Sequence, residues 1–431
     1  MQRLVWNELD QEDRRAALAR PVARASDQLV ANVRGIVDDV RARGWDALVE
    51  QAVRIDGQEP REVDTAPLAE QARRTLDAEQ LAAIELARDN IQRFHEFMVP
   101  SDQGMETQPG LSVGKIWRPL DRAGLYVPGG NAPLFSTLLM LALPARAAGV
   151  REIVVCSPPT SAGSVNPMIA LAAELCGIET LWSVGGAQAI AAMAFGAGLI
   201  ARVDKICGPG NAYVAAAKTH VASLSGGPAI DMPAGPSELL VIADESASAA
   251  VVAADLLSQA EHDRTAQVLL VTPSGELATR VELEVQGQLA TLPRADIARD
   301  ALGHARVIVT RSLDEAVVVA NAYAPEHLTL SVDDPDALLP HINNAGAIFA
   351  GHSAAETFGD YLAGSSHVLP TDGAARAWSG ISVYSFMKAI SIQKLTAEAV
   401  ARVAPAAAAL ARLEGLEAHA RAAEARIGRN S

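Results

Sequence analysis

The sequence has few cysteines, few aromatic residues and no long apolar run. Only 3 of its 431 residues are cysteine, and they are far apart in the chain. No disulfide framework is therefore expected, and a reducing compartment fits best. No stretch approaches ~18 uninterrupted apolar residues, so we expect no transmembrane helix. The polar N-terminus lacks the apolar core of a signal peptide, and we expect a cytoplasmic protein.

Positive charge is also scarce. The chain has 36 Lys and Arg against 51 Asp and Glu, for a net charge of −15. Nucleic-acid-binding surfaces normally carry a basic patch, so no nucleic-acid partner is expected. Hydrophobic residues make up 49% of the chain and aromatic residues 4%, which favours a helix-rich α/β protein over a β-sandwich. At 431 residues, two or more domains are expected.

Short apolar runs alternate with helical segments over most of the chain. A first series has strand-like runs at 151–157, 178–184 and 203–208, and a second series follows the Pro/Gly cluster at 226–238. Strands alternating with helices predict parallel sheets built from βαβ units. The first hundred residues and the segment 397–426 show helical spacing of apolar residues. We therefore predict an α/β fold of two αβα domains with mainly parallel sheets, a helical N-terminal arm and a helical C-terminal tail.

The predicted division of the chain has four parts. They are a helical arm (1–25), a first αβα domain with the metal and acid–base residues (26–129 and 239–381), a second αβα domain on the cofactor side (130–238), and a tail that reaches a partner subunit (382–431).

The segment SQAEHD, at 258–263, is a candidate metal site. Gln259 and His262 lie three residues apart on a predicted helix, so they share one face and are able to hold one ion. The alternative is an ordinary polar helix end, which the pair taken alone favours because Gln is an uncommon zinc ligand.

Two further segments combine carboxylates with histidines. In APEHL, Glu326 and His327 stand at the start of a predicted strand, and a histidine pKa near ~6.5 suits a base at neutral pH. The alternative is a solvated Glu beside a core His. In FGDYLAGSSHVLPT, Asp360 lies in a Gly-flanked turn and His367 in a Gly/Ser-rich stretch. Both side chains are suited to recognising a ligand, although an Asp after Gly more often forms a turn.

Two glycine-rich turns lead from a strand into a helix, in VDKICGPGNAYVAAAK and in SVGGAQAIA. Such a turn presents backbone N–H groups and a positive dipole end to an anion such as pyrophosphate. The GxGxxG fingerprint with its following acidic residue is absent, so these turns alone are weak evidence for a nucleotide. In EGLEAHA, Glu414 and His419 are five apart and form no close helical pair.

These segments, in this order, resemble the histidinol dehydrogenase family. The resemblance covers nearly the whole chain, and the combination of LLSQAEHD, APEHL and GDYLAG is specific. The stretches that carry it are GLYVPGGNAPLFSTLLM, GGAQAIAAMAFG, VDKICGPGNAYVAAAK, IDMPAGPSELLVIAD, LLSQAEHD, APEHL, GDYLAGSSHVLPT and EGLEAHA.

The resemblance implies an aldehyde-dehydrogenase-like fold and a role for each matching residue. The implied zinc ligands are Gln259, His262, Asp360 and, from the other subunit of a homodimer, His419, with one Zn²⁺ per subunit. The implied acid–base pair is Glu326 and His327. The implied substrate contacts are Ser237, Gln259, His262, His327, Asp360, His367, Glu414 and His419. Tyr126, Gln188 and Asn211 match positions on the NAD side.

The implied reaction is the four-electron oxidation of L-histidinol through histidinaldehyde to L-histidine in histidine biosynthesis, with NAD as the oxidant. His327 is the natural base for the alcohol proton, and Glu326 is the expected activator of the water that adds to the aldehyde. Zinc has no redox chemistry, so its expected role is to anchor the substrate's amino and imidazole nitrogens.

Three positions depart from the family pattern: Asn131, where Ser or Thr is common; Ser366, where Asn is usual; and Ala355, where Pro is frequent. Of these, Ser366 has the potential to change how His367 is oriented. Cys156 or Cys207 as a catalytic thiol is an alternative, but a buried Cys is usually just a small apolar residue.

Three other functions compete with this interpretation. A related dehydrogenase of another small polar alcohol, such as a sulfonate diol, is expected to lack Glu414. A zinc hydrolase would use Glu326 as the base for a metal-activated water and would need no NAD. A non-catalytic nucleotide- or metal-binding protein would be unaffected by a change of His327 to Asn.

Overall fold

The structure is a computed structural model that describes residues 1–21, 26–129, 134–232 and 235–428. Its strands are β1 (Gln2–Val5), β2 (Arg61–Asp64), β3 (Gln103–Gln108), β4 (Leu111–Pro119), β5 (Arg122–Tyr126), β6 (Glu152–Ser157), β7 (Thr180–Ser183), β8 (Lys205–Cys207), β9 (Ala229–Ile230), β10 (Glu238–Ala243), β11 (Gln267–Thr272), β12 (Arg306–Val309), β13 (His327–Ser331), β14 (Ala347–Ala350) and β15 (Met387–Leu395). Its α-helices are α1 (Gln11–Ala17), α2 (Asp27–Arg43), α3 (Trp45–Asp56), α4 (Thr65–Thr75), α5 (Ala78–Phe97), α6 (Phe135–Ala147), α7 (Pro167–Leu175), α8 (Gly186–Phe195), α9 (Ala212–Ser223), α10 (Ala249–Ala260), α11 (Gly275–Leu289), α12 (Ala295–Leu302), α13 (Leu313–Tyr323), α14 (Glu356–Tyr361), α15 (Ala397–Leu413) and α16 (Glu417–Glu424).

The chain divides into two compact units. The larger unit comprises Met1–Phe97 and Asp121–Phe386, and the smaller unit comprises Met98–Leu120 and Met387–Ser431. Within the described residues, no helix is long and apolar enough to cross a membrane.

One sheet of the larger unit, which we call the catalytic sheet, has the strand order β1-β12-β11-β10-β13-β14, with every neighbouring pair parallel. Residues of β10 and β11 are buried throughout, as expected for strands covered by helices on both faces. Helices α10, α11 and α12 pack on one face, and α13 packs on the other. The prediction of parallel βαβ units is confirmed for this part of the chain.

The second sheet of the larger unit, which we call the cofactor sheet, has the strand order β2-β7-β6-β5-β8-β9. Its pairs are parallel, except that β2 runs antiparallel to β7. Helices α2, α3, α8 and α9 share one hydrophobic core on this sheet. Helices α4 to α7 contact one another in the pairs α4–α7, α5–α6 and α6–α7.

The structure differs from the predicted division in two places. The segment 26–129 was assigned to the domain of 239–381, but its helices α2 and α3 pack with α8 and α9 on the cofactor sheet. The N-terminal arm contains helix α1, but it begins with β1, an edge strand hydrogen-bonded to β12. Both differences have one cause, because each segment is placed by contacts with residues more than a hundred positions away, which local periodicity does not report.

The smaller unit contains an antiparallel sheet of order β15-β4-β3 and the helices α15 and α16. Strand β15 lies in the predicted helical tail, but it pairs with β4 along nine residues, from Met387↔Pro119 to Leu395↔Leu111. Helices α15 and α16 confirm the helical character of 397–426, with a break at Gly415, where φ is +78°.

Candidate active site

The predicted acid–base residues lie at the amino ends of two paired strands. Strands β10 and β13 run parallel, with Leu239 opposite His327. Ser237 directly precedes β10 and Glu326 directly precedes β13, so both residues reach the same edge of the catalytic sheet. Open α/β sheets usually bind ligands at the carboxyl ends of their strands. Here the amino edge of the catalytic sheet and the turn after β8 of the cofactor sheet line a common cavity.

His327 is held in one orientation and keeps one ring nitrogen free. Its Nδ1 lies 3.1 Å from the backbone oxygen of Glu238, which only accepts, so Nδ1 carries a proton. The ring stacks on Phe349 with a centroid distance of 5.9 Å. Its Nε2 lies 3.7 Å from Asp360 Oδ1 and has no hydrogen-bond partner among the described residues. A fixed imidazole with an unengaged Nε2 is the arrangement that a general base requires.

Glu326 is a buried carboxyl beside this histidine. Its Oε2 accepts a hydrogen bond of 2.8 Å from Glu238 N and lies 3.6 Å from His327 Nδ1. Burial raises the pKa of Glu326 to about 7, against the opposing effects of His327 and the Glu238 N–H. A carboxyl with a pKa near neutrality is suited to taking up and returning a proton at physiological pH.

Carboxylates surround His327 and control its charge. Burial by itself lowers the pKa of His327. The nearby carboxylates Glu326, Glu356 and Asp360 outweigh this effect and raise the pKa to about 10. The negative charge of these carboxylates therefore favours the protonated form of the imidazole. A divalent cation among the same carboxylates would offset their negative charge and lower the pKa of His327.

Three side chains near His327 have the spacing of a metal site. Donor atoms of His262, Glu356 and Asp360 all lie within 4.8 Å of one another. Glu356 and Asp360 are four residues apart on α14, so they share one face of that helix. Asp360 was predicted to lie in a Gly-flanked turn, but it lies in this short helix. His262 was predicted to lie on the helix of Gln259, but α10 ends at Ala260, and His262 N bonds Gln259 O in the turn that follows.

Gln259 is fully buried, and neither its Oε1 nor its Nε2 has a hydrogen-bond partner in the described part of the chain. A buried amide without partners costs free energy, so we expect a bound ion or ligand to contact the Gln259 amide. Together with His262 and Asp360, Gln259 presents nitrogen and oxygen donors of the kind that zinc accepts. The residues of this cluster therefore fit a divalent cation.

The sequence analysis missed two buried acids of this cluster. Glu356 is 2% exposed, its Oε2 has no partner within the described residues, and burial raises its pKa to about 8. Asp255 lies one helical turn before Gln259, and burial raises its pKa to about 6. The spacing of four residues from Glu356 to Asp360, and from Asp255 to Gln259, was the available signal.

His367 connects the segment of Asp360 to helix α6. Its Nδ1 donates to the backbone oxygen of Asp360 at 3.0 Å, and its Nε2 lies 3.2 Å from Thr137 Oγ1. Ser366 Oγ accepts from Val368 N at 3.0 Å. The orientation of the His367 ring is therefore set by Asp360 and Thr137, and Thr137 is a contact that the sequence analysis did not find.

The predicted cofactor residues lie at the carboxyl edge of the cofactor sheet. Tyr126 OH accepts a hydrogen bond from Gly186 N at 3.1 Å, and Gln188 Nε2 donates to Asp56 Oδ2 at 3.1 Å. The structure thus brings Tyr126 and Gln188 to the same turn, between β7 and α8. Asn211 lies at the turn between β8 and α9, where its Oδ1 caps α9 by accepting from Tyr213 N and Val214 N.

Two glycines at this edge are required because the backbone there packs closely against other parts of the chain. A Cβ at Gly208 would lie 2.1 Å from Tyr126 O, and a Cβ at Gly129 would lie 2.9 Å from Pro158 O. The strand order reverses between β5 and β8, next to Gly208. This switch point is where parallel sheets bind dinucleotides, so the edge fits a cofactor such as NAD.

A buried ion pair holds the turn after β8. The side chains of Lys218 and Asp231 form a salt bridge and are only 3% and 1% exposed. Lys218 Nζ donates to Gly208 O at 2.8 Å, and Asp231 Oδ2 accepts from Gly208 N at 2.7 Å. Both polar groups of Gly208 are thereby bound, and the turn has a fixed shape at the wall of the cavity.

Exchange of Lys218 for Met should destabilise the protein by about 3 kcal/mol, because it leaves the Asp231 carboxylate buried without its cation. Denaturant unfolding monitored by tryptophan fluorescence measures this loss. The double variant K218M/D231N removes both charges and should recover part of the stability. Equal stability of K218M and the wild type would show that the pair contributes nothing.

The remaining predicted residues lie elsewhere. Glu414, at the end of α15, and His419, on α16, belong to the smaller unit and are exposed there. Asn131 lies outside the described residues. Cys156 and Cys207 are fully buried, and burial raises the pKa of both thiols, that of Cys207 to about 12. Neither thiol has the lowered pKa of a reactive cysteine.

Comparison with known proteins identifies the family of the chain. The family model described as histidinol dehydrogenase matches residues 19–427. The chain belongs to the histidinol dehydrogenase family. It is 48% identical to a histidinol dehydrogenase of Xanthomonas euvesicatoria pv. vesicatoria over 99% of each chain. It is 45% identical to that of Mannheimia succiniciproducens over 100% of each chain. The crystal structure of histidinol dehydrogenase from Elizabethkingia anophelis superimposes with a TM-score of 0.94 at 39% identity, covering 99% of this chain and 98% of that one.

Proposed function

We propose that the protein is a zinc-dependent, NAD-linked dehydrogenase that oxidises L-histidinol through histidinaldehyde to L-histidine, in histidine biosynthesis. Membership of the histidinol dehydrogenase family supports the substrate. The observation that carries the mechanism is the position of His327, whose unengaged Nε2 faces Asp360 in the cluster of metal-ligating side chains.

In the first oxidation, His327 Nε2 would take the proton of the substrate hydroxyl. NAD, when bound, would supply the oxidant that accepts the hydride from the same carbon, so the products would be the aldehyde and one NADH. The hydrogen bond from Nδ1 to Glu238 O keeps the ring in the tautomer that has a free Nε2. A base positioned in this way typically contributes about 10²- to 10⁴-fold to the rate.

In the second oxidation, the aldehyde would add a water molecule to form a hydrate, and a second NAD would accept the second hydride. We assign to Glu326 the removal of a proton from that water, because its raised pKa suits proton exchange at neutral pH. The balance is one alcohol, two NAD⁺ and one water converted to one carboxylate, two NADH and three protons.

Gln259, His262 and Asp360 would hold the zinc, with His419 from the other subunit as the fourth ligand. The zinc would supply a fixed positive charge that anchors the amino and imidazole nitrogens of the substrate. Ser237, His367 and Glu414 would complete the substrate contacts, and Tyr126, Gln188 and Asn211 would lie along the NAD.

This proposal includes a homodimer with shared active sites. Leu410 and Leu413 on α15 are 64% and 84% exposed, in the same unit as Glu414 and His419. Exposed large apolar side chains close together are typical of a surface that binds another chain. A second subunit would cover these leucines and present His419 to the metal.

Spectroscopic titration of NADH formation tests the function. With limiting histidinol and excess NAD, we expect two NADH per histidinol, and no NADH with a sulfonate diol. Amino-acid analysis of the product should find histidine. Formation of a single NADH, or oxidation of the diol alone, would assign the protein to a different alcohol. Turnover of an ester or amide without NADH would support the hydrolase instead.

A further inference from the structure

The carboxyl edge of the cofactor sheet carries a carboxylate that the motifs did not indicate. Asp56 is the last residue of α3, and its Oδ2 accepts hydrogen bonds from Gly185 N at 3.0 Å and from Gln188 Nε2 at 3.1 Å. Its Oδ1 accepts no hydrogen bond from the described residues. One oxygen of Asp56 therefore fixes the turn before α8, and the other is available to a ligand.

The position of this turn relative to His327 indicates which part of NAD reaches it. The cavity around His327 includes Gly208 and Pro209, which follow β8. A nicotinamide ring that meets the substrate there leaves the adenosine half to extend across β5 and β6 towards β7. Strands in a sheet lie about 4.8 Å apart, so the end of β7 is about 14 Å from that of β8. The Asp56 turn is therefore at the adenosine end.

Asp56 also lies where other dinucleotide-binding sheets have an acidic residue at the end of their second strand. In dinucleotide-binding sheets, an Asp or Glu after the second strand holds the adenosine ribose. The corresponding strand here is β6, which is followed by Pro158 and Pro159. A Cβ at Gly185 would lie 2.6 Å from Pro158 Cβ and 3.2 Å from Asp56 Oδ1, so Asp56 stands beside the end of β6.

A second polar group faces the same turn. Gln188 is fully buried, and its Oε1 has no hydrogen-bond partner in the described ranges. This oxygen would lie 2.7 Å from a Cβ at Gly186, whose φ is +62°. Helix α8 begins at Gly186 without a side-chain cap. Gly186 N donates to Tyr126 OH, and among the described residues the other N–H groups of the first turn remain free for an anion such as pyrophosphate.

We propose that Asp56 binds the 2′- and 3′-hydroxyls of the adenosine ribose and makes the enzyme selective for NAD over NADP. This inference rests on the proposed NAD-linked function. An ionised carboxylate accepts hydrogen bonds from both hydroxyls, but it repels the 2′-phosphate of NADP. Asp56 is bonded to a backbone N–H and an amide, and within the described residues no Lys or Arg pairs with it to offset its charge.

Calorimetric titration of the full-length protein with ADP-ribose and with its 2′-phosphorylated form tests this proposal without turnover. The wild type should bind ADP-ribose at least about tenfold more tightly than the phosphorylated form. This ratio corresponds to the loss of one hydrogen bond to a charged group. In Asp56→Asn the ratio should fall to near one, and the NAD-to-NADP ratio of kcat/KM with histidinol should fall in parallel. Asp56→Glu keeps the charge and should keep a preference for NAD.

Asp46→Asn is the matched control, because it removes the same charge from the exposed first turn of α3, about 15 Å from Asp56. It should leave both ratios unchanged. If Asp56→Asn weakens both ligands equally, Asp56 only supports the turn and the inference is wrong. An unchanged ratio in a folded Asp56→Asn protein also contradicts it while the proposed function stands. If the wild type binds neither ligand and does not reduce NAD, the proposed function fails together with this inference.

Discussion

Exchange of His327 for Asn is expected to lower kcat for histidinol oxidation by about 10³-fold, within the usual range for loss of a general base. An Asn side chain still has an N–H for the bond to Glu238 O, but it has no basic nitrogen facing Asp360. The proposed metal ligands are untouched, so histidinol should bind with little change in affinity. Single-turnover NADH formation and calorimetric titration of histidinol separate the two effects.

His352→Asn is the control for this experiment. His352 lies near the opposite edge of the catalytic sheet, where its ring nitrogens lie 3.0 Å from Ser246 Oγ and 3.1 Å from Ser331 Oγ. The same substitution there should leave kcat unchanged. If His327→Asn keeps kcat within about tenfold of the wild type, the assignment of His327 as the base is wrong.

Removal of the divalent cation by a chelator should reduce turnover by at least about 100-fold, and zinc should restore it. Two effects combine in the metal-free protein. The substrate loses its anchor, and the pKa of His327, raised to about 10 by the surrounding carboxylates despite its burial, keeps the base protonated at neutral pH. Bound zinc offsets those carboxylates, so the pKa of His327 should fall when the metal is added.

NMR titration of the histidine side chains, with His327→Asn to assign the resonance, follows this pKa with and without zinc. In the metal-free protein, His327 should lose its proton only in alkaline solution, and zinc should move that titration to lower pH. His262→Asn removes one proposed ligand and should show the metal-free behaviour even when zinc is present at moderate concentration. Full activity in the chelated protein would contradict the proposed site. A pKa of His327 that is the same with and without zinc would also contradict it.

Some of the candidate site was predictable from the sequence because its residues are neighbours in the chain. The spacing in SQAEHD predicted that Gln259 and His262 lie close together. Glu326 and His327 are adjacent in APEHL, which predicted that they act as a pair. The order of these segments was enough for the resemblance to the family. Glu356 was within reach of the same reasoning, since it precedes Asp360 by one helical turn, but α14 was mistaken for a turn because of Gly359.

Other parts of the site were beyond any local pattern. Asp56 meets Gly185 and Gln188 across about 130 positions of the chain. Thr137 meets His367 across 230 positions. These contacts exist only because helices α3 and α6 pack on the cofactor sheet, and hydrophobic packing depends on which apolar faces fit together rather than on spacing in the sequence.

By itself, the amino-acid sequence determined the α/β class and the alternation of strands and helices, and it indicated the candidate ligand and acid–base residues that lie within single segments. These follow from periodicity and from residue chemistry, which are local properties. Only the tertiary structure decided that helices α2 and α3 pack on the cofactor sheet, that β1 joins the catalytic sheet, and that buried carboxylates lie around His327. Such features depend on contacts between distant segments and on the loss of solvent around charged groups, and both appear only when the chain is folded.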